Sequence, residues 1–415
     1  MRKQFTVLAA LAVALVLFAG AGKPAGQASW TRWGGPEQEF RIEGQALGEA
    51  WPEPGPKKLW SRELGDGYSA ILVEDGRLYT MYRHEDKERV VCLDAATGKT
   101  VWEHAYASAP GEGHVHQFGS GPRSTPLISG DAIYTIGISG TMHALDKATG
   151  KVRWSQELWS GLGGNFLEHG YSSSPIDHKD TIIALVGGEG HAIVALGKKD
   201  GKVRWKSGSF KNSYSSPRIL ELAGRAQIVT FMADEVVGLD PDAGDVLWSY
   251  PHQNQWEQNI SMPIRVDDRR VFISSPEAGA KCIELTAEGT TFKVGEVWST
   301  RKIQFYHVNT VREGDWLYGS TGTFAPTFMA ALNLQTGEIG WRKRGYAKAN
   351  CVGSGGRLII LDEDGMLYLT TASPQDLVLN AKAELLSKVA WTVPTIVGRT
   401  LYVRDKTQIL AVDLG

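Results

Sequence analysis

A tryptophan recurs along this chain at a nearly even beat, most often at the end of the same short phrase. The phrase reads Cys92-Leu-Asp-Ala-Ala-Thr-Gly-Lys-Thr-Val-Trp102, then His143-Ala-Leu-Asp-Lys-Ala-Thr-Gly-Lys-Val-Arg-Trp154, then Val194-Ala-Leu-Gly-Lys-Lys-Asp-Gly-Lys-Val-Arg-Trp205. It returns as Val237-Gly-Leu-Asp-Pro-Asp-Ala-Gly-Asp-Val-Leu-Trp248 and Ala331-Leu-Asn-Leu-Gln-Thr-Gly-Glu-Ile-Gly-Trp341, with a looser copy ending Val294-Gly-Glu-Val-Trp298. Trp60 and Trp391 keep the beat without the full phrase. The eight positions, Trp60, Trp102, Trp154, Trp205, Trp248, Trp298, Trp341 and Trp391, are spaced by 42, 52, 51, 43, 50, 43 and 50 residues. A period of roughly 40–50 residues is that of propeller blades, units that bury their apolar faces only by stacking on neighbours.

Each part of the phrase has a physical reason. A strand ends in Leu-Asp and enters a tight turn whose Asp or Asn side chain bonds the turn backbone. Gly98, Gly150, Gly201, Gly244 and Gly337 stand where the turn needs a positive φ. The chain reverses, and the returning strand carries an indole placed to pack between adjacent units, giving the eight tryptophans a structural docking role. Two more strand signals precede each turn, such as Ser124-Thr-Pro-Leu-Ile with Ala132-Ile-Tyr-Thr-Ile-Gly, and Ser173-Ser-Pro-Ile with Thr181-Ile-Ile-Ala-Leu-Val. Each unit therefore holds four short strands: one led by Ser-Pro, an apolar one, one before the turn, and the Trp strand.

The ends of the array predict how it closes. Thr407 to Gly415 matches a third strand with no Trp strand after it, whereas Trp60 is a Trp strand with no partners before it. Joined, they complete an eighth blade and remove the two exposed edges of a linear array. The expectation is an all-β, eight-bladed β-propeller of four-stranded antiparallel blades, closed by an N-terminal strand pairing with the C-terminal blade. Seven blades is the alternative if the weak stretch 349–392 is a bulge rather than a unit. The organisation expected is a signal peptide at 1–28, a leader at 29–56 and the propeller at 57–415.

Composition bounds the function. A formal net charge of −2 lacks the basic excess of nucleic-acid binders. Arg2 and Lys3 followed by the apolar run Val7 to Ala21 and the small residues Gly26-Gln-Ala28 have the layout of a secretory signal. No cysteine follows that run to take a lipid, so a periplasmic or secreted protein without stable membrane insertion is expected. Cys92, Cys282 and Cys351 are far apart and odd in number, which reads as buried free thiols rather than a disulfide framework.

The Ala-x-Asp-x-x-Thr-Gly-Lys-x-x-Trp phrase resembles the repeat of the pyrroloquinoline-quinone (PQQ)-like propellers, over nearly all of the chain from Trp33 to Gly415. That family includes quinone-dependent alcohol dehydrogenases and BamB-like scaffolds of outer-membrane assembly. The resemblance speaks for the fold; function lies in a site grafted onto it. A PQQ- and calcium-dependent oxidoreductase acting on an alcohol or polyol implies adjacent cysteines against the cofactor and oxygen ligands for calcium. No two cysteines are adjacent here, and Asp94, Asp146 and Asp240 read as turn residues, so no catalytic residue and no cofactor is assigned. The reading is a non-catalytic scaffold binding an envelope or extracellular protein or ligand, with the oxidoreductase as the alternative.

The candidate site follows from loop content. Loops 103–123, 155–171, 250–260 and 299–307 join an outer strand to the next inner strand and belong together on one face. They hold His114, His116 and Arg123, then His169 and Tyr171, then Trp256, then Gln304, Tyr306 and His307. These residues make either a binding funnel at the channel mouth or loops that plug their own channel. His114 and His116 with His169 or His307 would make a three-histidine set, but a lone His-x-His on loops of different units reads as solvated histidines, and no metal is assigned. The serines before proline read as strand-start turn chemistry, since no Gly-x-Ser-x-Gly elbow surrounds them. Gly161-Leu-Gly-Gly-Asn lacks the Lys-Ser/Thr of a phosphate loop.

Overall fold

Eight antiparallel sheets, four strands each before any addition, are arranged as the blades of a propeller. The computed structural model describes residues 29–42, 47–323, 326–387 and 389–415. The signal-peptide reading falls on residues 1–28 and lies outside the described residues. Blade 1 runs from the strand Leu72–Glu74 to Thr100–Ala107, blade 2 from Leu127–Ser129 to Val152–Glu157, and blade 3 from Ile176–His178 to Val203–Ser207. Blades 4 to 7 follow in the same order, starting at Arg218–Leu222, Ile264–Arg265, Thr310–Glu313 and Ala349–Ser354. Blade 8 is sewn from both parts of the chain: Thr395–Val397, Thr400–Arg404 and Gln408–Asp413 are completed by Lys57–Glu63, with Trp60 opposite Ala411. The closure predicted from the repeat is the one observed.

The turn of the repeat does two jobs at once. In blade 1 the Asp94 carboxylate accepts the Thr97 amide at 3.0 Å and the Thr97 hydroxyl at 2.8 Å, and Gly98 takes φ +70°. Asp146 and Thr149 repeat the same bonds in blade 2. The glycine also leaves room for the indole of the preceding blade. A Cβ on Gly98, Gly201, Gly244 or Gly337 would lie 2.5–2.7 Å from the nearest atom of Trp60, Trp154, Trp205 or Trp298 respectively. The indole N–H then donates to the next blade: Trp60 to the Ala95 carbonyl, Trp102 to Lys147, Trp154 to Lys198, Trp298 to Leu334 and Trp341 to Ser373, all at 2.8–3.1 Å.

Two of the eight tryptophans depart from the docking role. Trp248 donates to Gln227 Oε1 of its own blade at 2.6 Å. The next blade offers no Asp-x-x-Thr-Gly turn, because its strands Gly279–Glu288 and Thr291–Thr300 form a long hairpin instead. Trp391 is not on an outer strand: it precedes the innermost strand of blade 8, in the loop at the channel mouth. The outer strand of blade 7, Leu377–Glu384, carries Ala381 in the tryptophan register, opposite Leu369 at the bulge. The count of eight blades was right, but the eighth tryptophan reached its spacing by another route.

The serines before proline do more than start strands. The Ala70 amide donates to the Thr125 hydroxyl at 3.1 Å, the Thr125 amide to Ser174 at 3.0 Å, and the Ser174 amide to Ser216 at 2.9 Å. Asn309 and Asn350 continue the pattern, the Asn309 amide donating to Asn350 Oδ1 at 3.1 Å. These rungs stitch blade 1 to 2, 2 to 3, 3 to 4 and 6 to 7 around the axis, and they satisfy backbone donors that would otherwise be orphaned in a buried ring.

Residues 29–42 lie within the ring and cross the inner strands of most blades. Trp30, 1% exposed, pairs with Val73 of blade 1 through both backbone bonds, at 2.7 and 2.9 Å. The Thr31 carbonyl accepts from Ile128 in blade 2, and Arg32 pairs with Asp177 in blade 3 at 3.1 Å. In blade 4, Gln38 donates to the Pro217 carbonyl, and Arg218 donates to the Glu37 carbonyl. Arg41–Ile42 then adds a parallel fifth strand to blade 7, against Gly353–Ser354. The segment forms a floor across the channel.

Candidate functional site

The strands that carry the inner ring also fix what points into its mouth. Above the floor lies a cavity of about 510 Å³, with Trp33 of the N-terminal segment at its base. Counting two residues back from each rung of the hydroxyl–amide ladder, or from its counterpart, gives one residue per blade: Tyr68, Arg123, Ser172, Tyr214, Ile260, His307, Lys348 and Trp391. All eight line the cavity. The repeat therefore builds the cup as well as the blades, with one register shared by all eight blades and seven residue types in it, tyrosine occurring twice.

The cup is largely aromatic. Tyr68 and Phe118 both approach Trp391, at 5.4 and 5.8 Å between ring centres, and Phe118 approaches His169 at 5.6 Å. His169 continues the belt to Tyr214 at 5.8 Å. The Tyr306 and His307 rings lie 3.7 Å apart between centres, tilted at 46°, and Tyr306 donates its hydroxyl to Gln258 Oε1. Two cations stand over these rings: the Arg123 guanidinium 5.4 Å from the Tyr68 centre, and the Lys348 ammonium 5.5 Å from Trp391. Burial pushes the phenols of Tyr68 and Tyr214 up to about 12, so both stay neutral donors. Desolvation holds the imidazoles of His169 and His307 below the usual range, leaving them uncharged at neutral pH. Desolvation also lowers the Arg123 and Lys348 values.

Of the residues read from the sequence, Arg123, His169, Trp256, Tyr306 and His307 line the cup. Four others do not. His114 is buried behind it, with Nε2 3.3 Å from the Gly119 carbonyl, and supports the loop that carries Phe118. His116 lies outside, in the short turn His116–Phe118. Tyr171 is 1% exposed, and its hydroxyl donates to the Leu185 carbonyl at 2.8 Å, which makes it a core residue. Gln304 accepts from the Thr323 hydroxyl at 2.9 Å, away from the lumen. Tyr68, Phe118, Tyr214, Lys348 and Trp391 line the cup without having been singled out for it. The signal that finds most of them is repeat register, since they share one position of the unit and no common residue type.

The donor set of the cup does not suit calcium-bound PQQ. No carboxylate lines it, whereas calcium takes six to eight oxygen ligands, usually with several carboxylates. No group of three or more metal-ligating side chains occurs among the described residues. The cysteines are buried in three separate blades, so no pair could form a disulfide against a bound ring.

Fold and cup define a class: an eight-bladed propeller of PQQ-type tryptophan repeats, with a blind cup at the channel mouth. The chain belongs to the family described as outer membrane protein assembly factor BamB, whose profile matches residues 50–207 and 86–343. It is 23% identical over 252 residues to the outer membrane protein assembly factor BamB of Burkholderia pseudomallei, covering 58% of this chain and 59% of that one. It is 26% identical over 100 residues to the protein of the same name from Salmonella typhimurium, 24% of this chain and 25% of that one. The matches thus span less than two thirds of these relatives. Among solved structures, BamB from Moraxella catarrhalis superposes with a TM-score of 0.57 at 17% identity, over 86% of this chain and 97% of that one. Quinohemoprotein alcohol dehydrogenase from Comamonas testosteroni gives 0.62 at 13% identity, over 94% and 81%. At these identities the likeness is one of fold.

Proposed function

We propose that this protein is an exported, non-catalytic scaffold that holds envelope proteins during their assembly and engages them through the channel mouth. The observation that carries this reading is the cup: a ring of eight blades presents one side chain per blade at a shared register, of seven residue types, over a floor made by the chain's own N-terminal segment. Such a surface suits recognition, and membership of an assembly-factor family supports it. The signal-like N-terminus supports export to the periplasm or beyond, with the mature chain beginning near residue 29. Arg123, His169, Trp256, Tyr306 and His307 are the proposed contact residues, with His114 and Gln304 shaping the loops around them.

The test is capture of envelope proteins from a crosslinked extract by wild type and by Arg123→Ala/His169→Ala. The double variant is expected to keep its circular dichroism spectrum and lose most of the capture. Equal capture by both proteins would remove the cup from the reading. Cell fractionation checks location; recovery of the protein in the cytoplasm would overturn export.

A further inference from the structure

The joint between blades 1 and 2 holds polar groups that the stacking of blades does not require. His143 stands on the third strand of blade 2, Thr141–Asp146. Its register is filled by Val91, Val194, Val237, Ala330 and Leu410 in five other blades, and by Lys281 and Tyr368 in blades 5 and 7. Those last two have partners: Lys281 pairs with Glu296 at 3.4 Å, and the Tyr368 hydroxyl donates to Asp362 at 2.9 Å. His143 is 7% exposed, and its buried Nδ1 has no hydrogen-bond partner among the described residues. Thr135, directly opposite on the neighbouring strand and fully buried, has an unpartnered hydroxyl as well. From blade 1 they are met by His104, two residues beyond Trp102 on the outer strand Thr100–Ala107, whose buried Nε2 is likewise unpartnered.

The two imidazole centres are 5.5 Å apart with their planes at 65°, and the Tyr106 ring lies against both, 4.4 Å from His143 and 5.9 Å from His104. Two imidazoles held at about 2 Å from one tetrahedral ion have their centres about 5 Å apart, so small side-chain rotations bring this pair to that geometry. Desolvation holds both rings below the usual imidazole range, His143 at about 4, so each offers a lone pair at neutral pH. Buried nitrogens and a buried hydroxyl without partners are costly, and a bound ion with its water relieves all three. His104 is only partly buried, which gives the pair a route to solvent. Neutral imidazoles suit zinc and copper, whereas calcium and magnesium take oxygen ligands. We infer that His104 and His143 together bind a divalent ion of the zinc and copper class across the joint between blades 1 and 2, with water in the remaining positions and the Thr135 hydroxyl holding one of those waters. This site lies away from the channel mouth and does not depend on the reading of that mouth. It fastens the strand Thr100–Ala107, which leads into the loop bearing Phe118 and Arg123, to blade 2, beside the bond from the Ile138 amide to Glu88 at 2.9 Å.

The probe is Zn(II), titrated into the full-length protein after treatment with EDTA and buffer exchange, in competition with a chromogenic chelator. Wild type is expected to take up zinc saturably and to melt at a higher temperature with zinc than with EDTA, since an ion that binds only the folded chain stabilises it. His143→Val, which installs the side chain that blades 3 and 4 carry at this register, and His104→Gln are each expected to lose one equivalent of zinc and the melting shift. His116→Gln is expected to keep both, which separates this pair from the neighbouring His114 and His116. Calcium is expected to give no shift in any of these proteins. Far-ultraviolet circular dichroism and melting in EDTA check that the variants fold, and His104→Gln, at a partly exposed position of an outer strand, decides the matter if His143→Val does not fold. No saturable zinc uptake by wild type, an unchanged stoichiometry and affinity in His104→Gln, loss of the equivalent in His116→Gln instead, or an equal shift with calcium would overturn the inference.

Discussion

Replacing Gly201 by alanine isolates the contact on which the ring of blades depends. Two costs arise at this position. The backbone sits at φ +65°, where a Cβ costs about 1–2 kcal/mol. The new methyl would also lie 2.7 Å from Cδ2 and Cε3 of Trp154, a buried indole held by its bond to the Lys198 carbonyl. Reaching ordinary contact requires the ring to move by about 0.7 Å, and overpacking of this kind costs roughly 1–3 kcal/mol. Gly130 is the matched control, with φ +64° and nothing within 4 Å of an added Cβ. Gly201→Ala is therefore expected to lose about 1–3 kcal/mol more than Gly130→Ala. The assay is equilibrium urea unfolding followed by fluorescence and by far-ultraviolet circular dichroism, accepted only where the two transitions coincide. In a Trp154→Ala background the clash partner is gone, and Gly201→Ala should cost no more than the control, which gives a coupling of the same size in a double-mutant cycle. Equal losses at Gly201 and Gly130, or strictly additive effects with Trp154→Ala, would refute indole-on-glycine docking as the joint between blades.

Three further outcomes are expected. Trp30→Ala should destabilise the protein by about 3–5 kcal/mol, because it empties a fully buried site in the floor; an unchanged urea midpoint would show that the N-terminal segment does not stabilise the ring. Desolvation lowers the imidazole of His143 to about 4 and that of His252 to about 3, so the unfolded chain takes up these protons first, near pH 6.5. Their contribution is complete above pH 6.5 and lost as pH falls toward the folded values, by about 2 kcal/mol per residue at pH 5; an unchanged pH 7-to-5 difference in urea midpoint on His252→Asn would refute it. Burial pushes the thiols of Cys92, Cys282 and Cys351 up to about 11, 12 and 12, so an aromatic disulfide reagent should titrate none of them in the native protein and all three in urea; rapid native labelling would contradict their burial.

Much of the architecture was legible because it is written in local chemistry repeated along the chain. The Asp-x-x-Thr-Gly turn, the apolar strand before it and the returning tryptophan are each set by residues within a dozen positions, and the incomplete unit around Gln408–Asp413 called for Trp60 to finish it. Legibility failed where one residue type serves two purposes. Trp391 arrives on the beat and yet belongs to the cup, while Ala381 stands silently in the register of the indole. Tyr171 looks like its neighbour His169 in sequence, but its hydroxyl is spent on the Leu185 carbonyl.

Sequence alone determined the unit and the manner of closure, since these follow from turn geometry, strand alternation and the need to bury an indole against a neighbour; the tertiary structure settled eight units over seven, because blade 7 carries Ala381 in place of the indole. Tertiary structure decided the site. The cup brings together residues from Trp33 to Trp391 that share no local signal, and only closing the ring places Arg123 and Lys348 in one lumen with no carboxylate between them. It also turned a stretch that reads as a mere leader into the floor, because Trp30, Arg32 and Arg41 find their partners in blades 1, 3 and 7 only once those blades surround them.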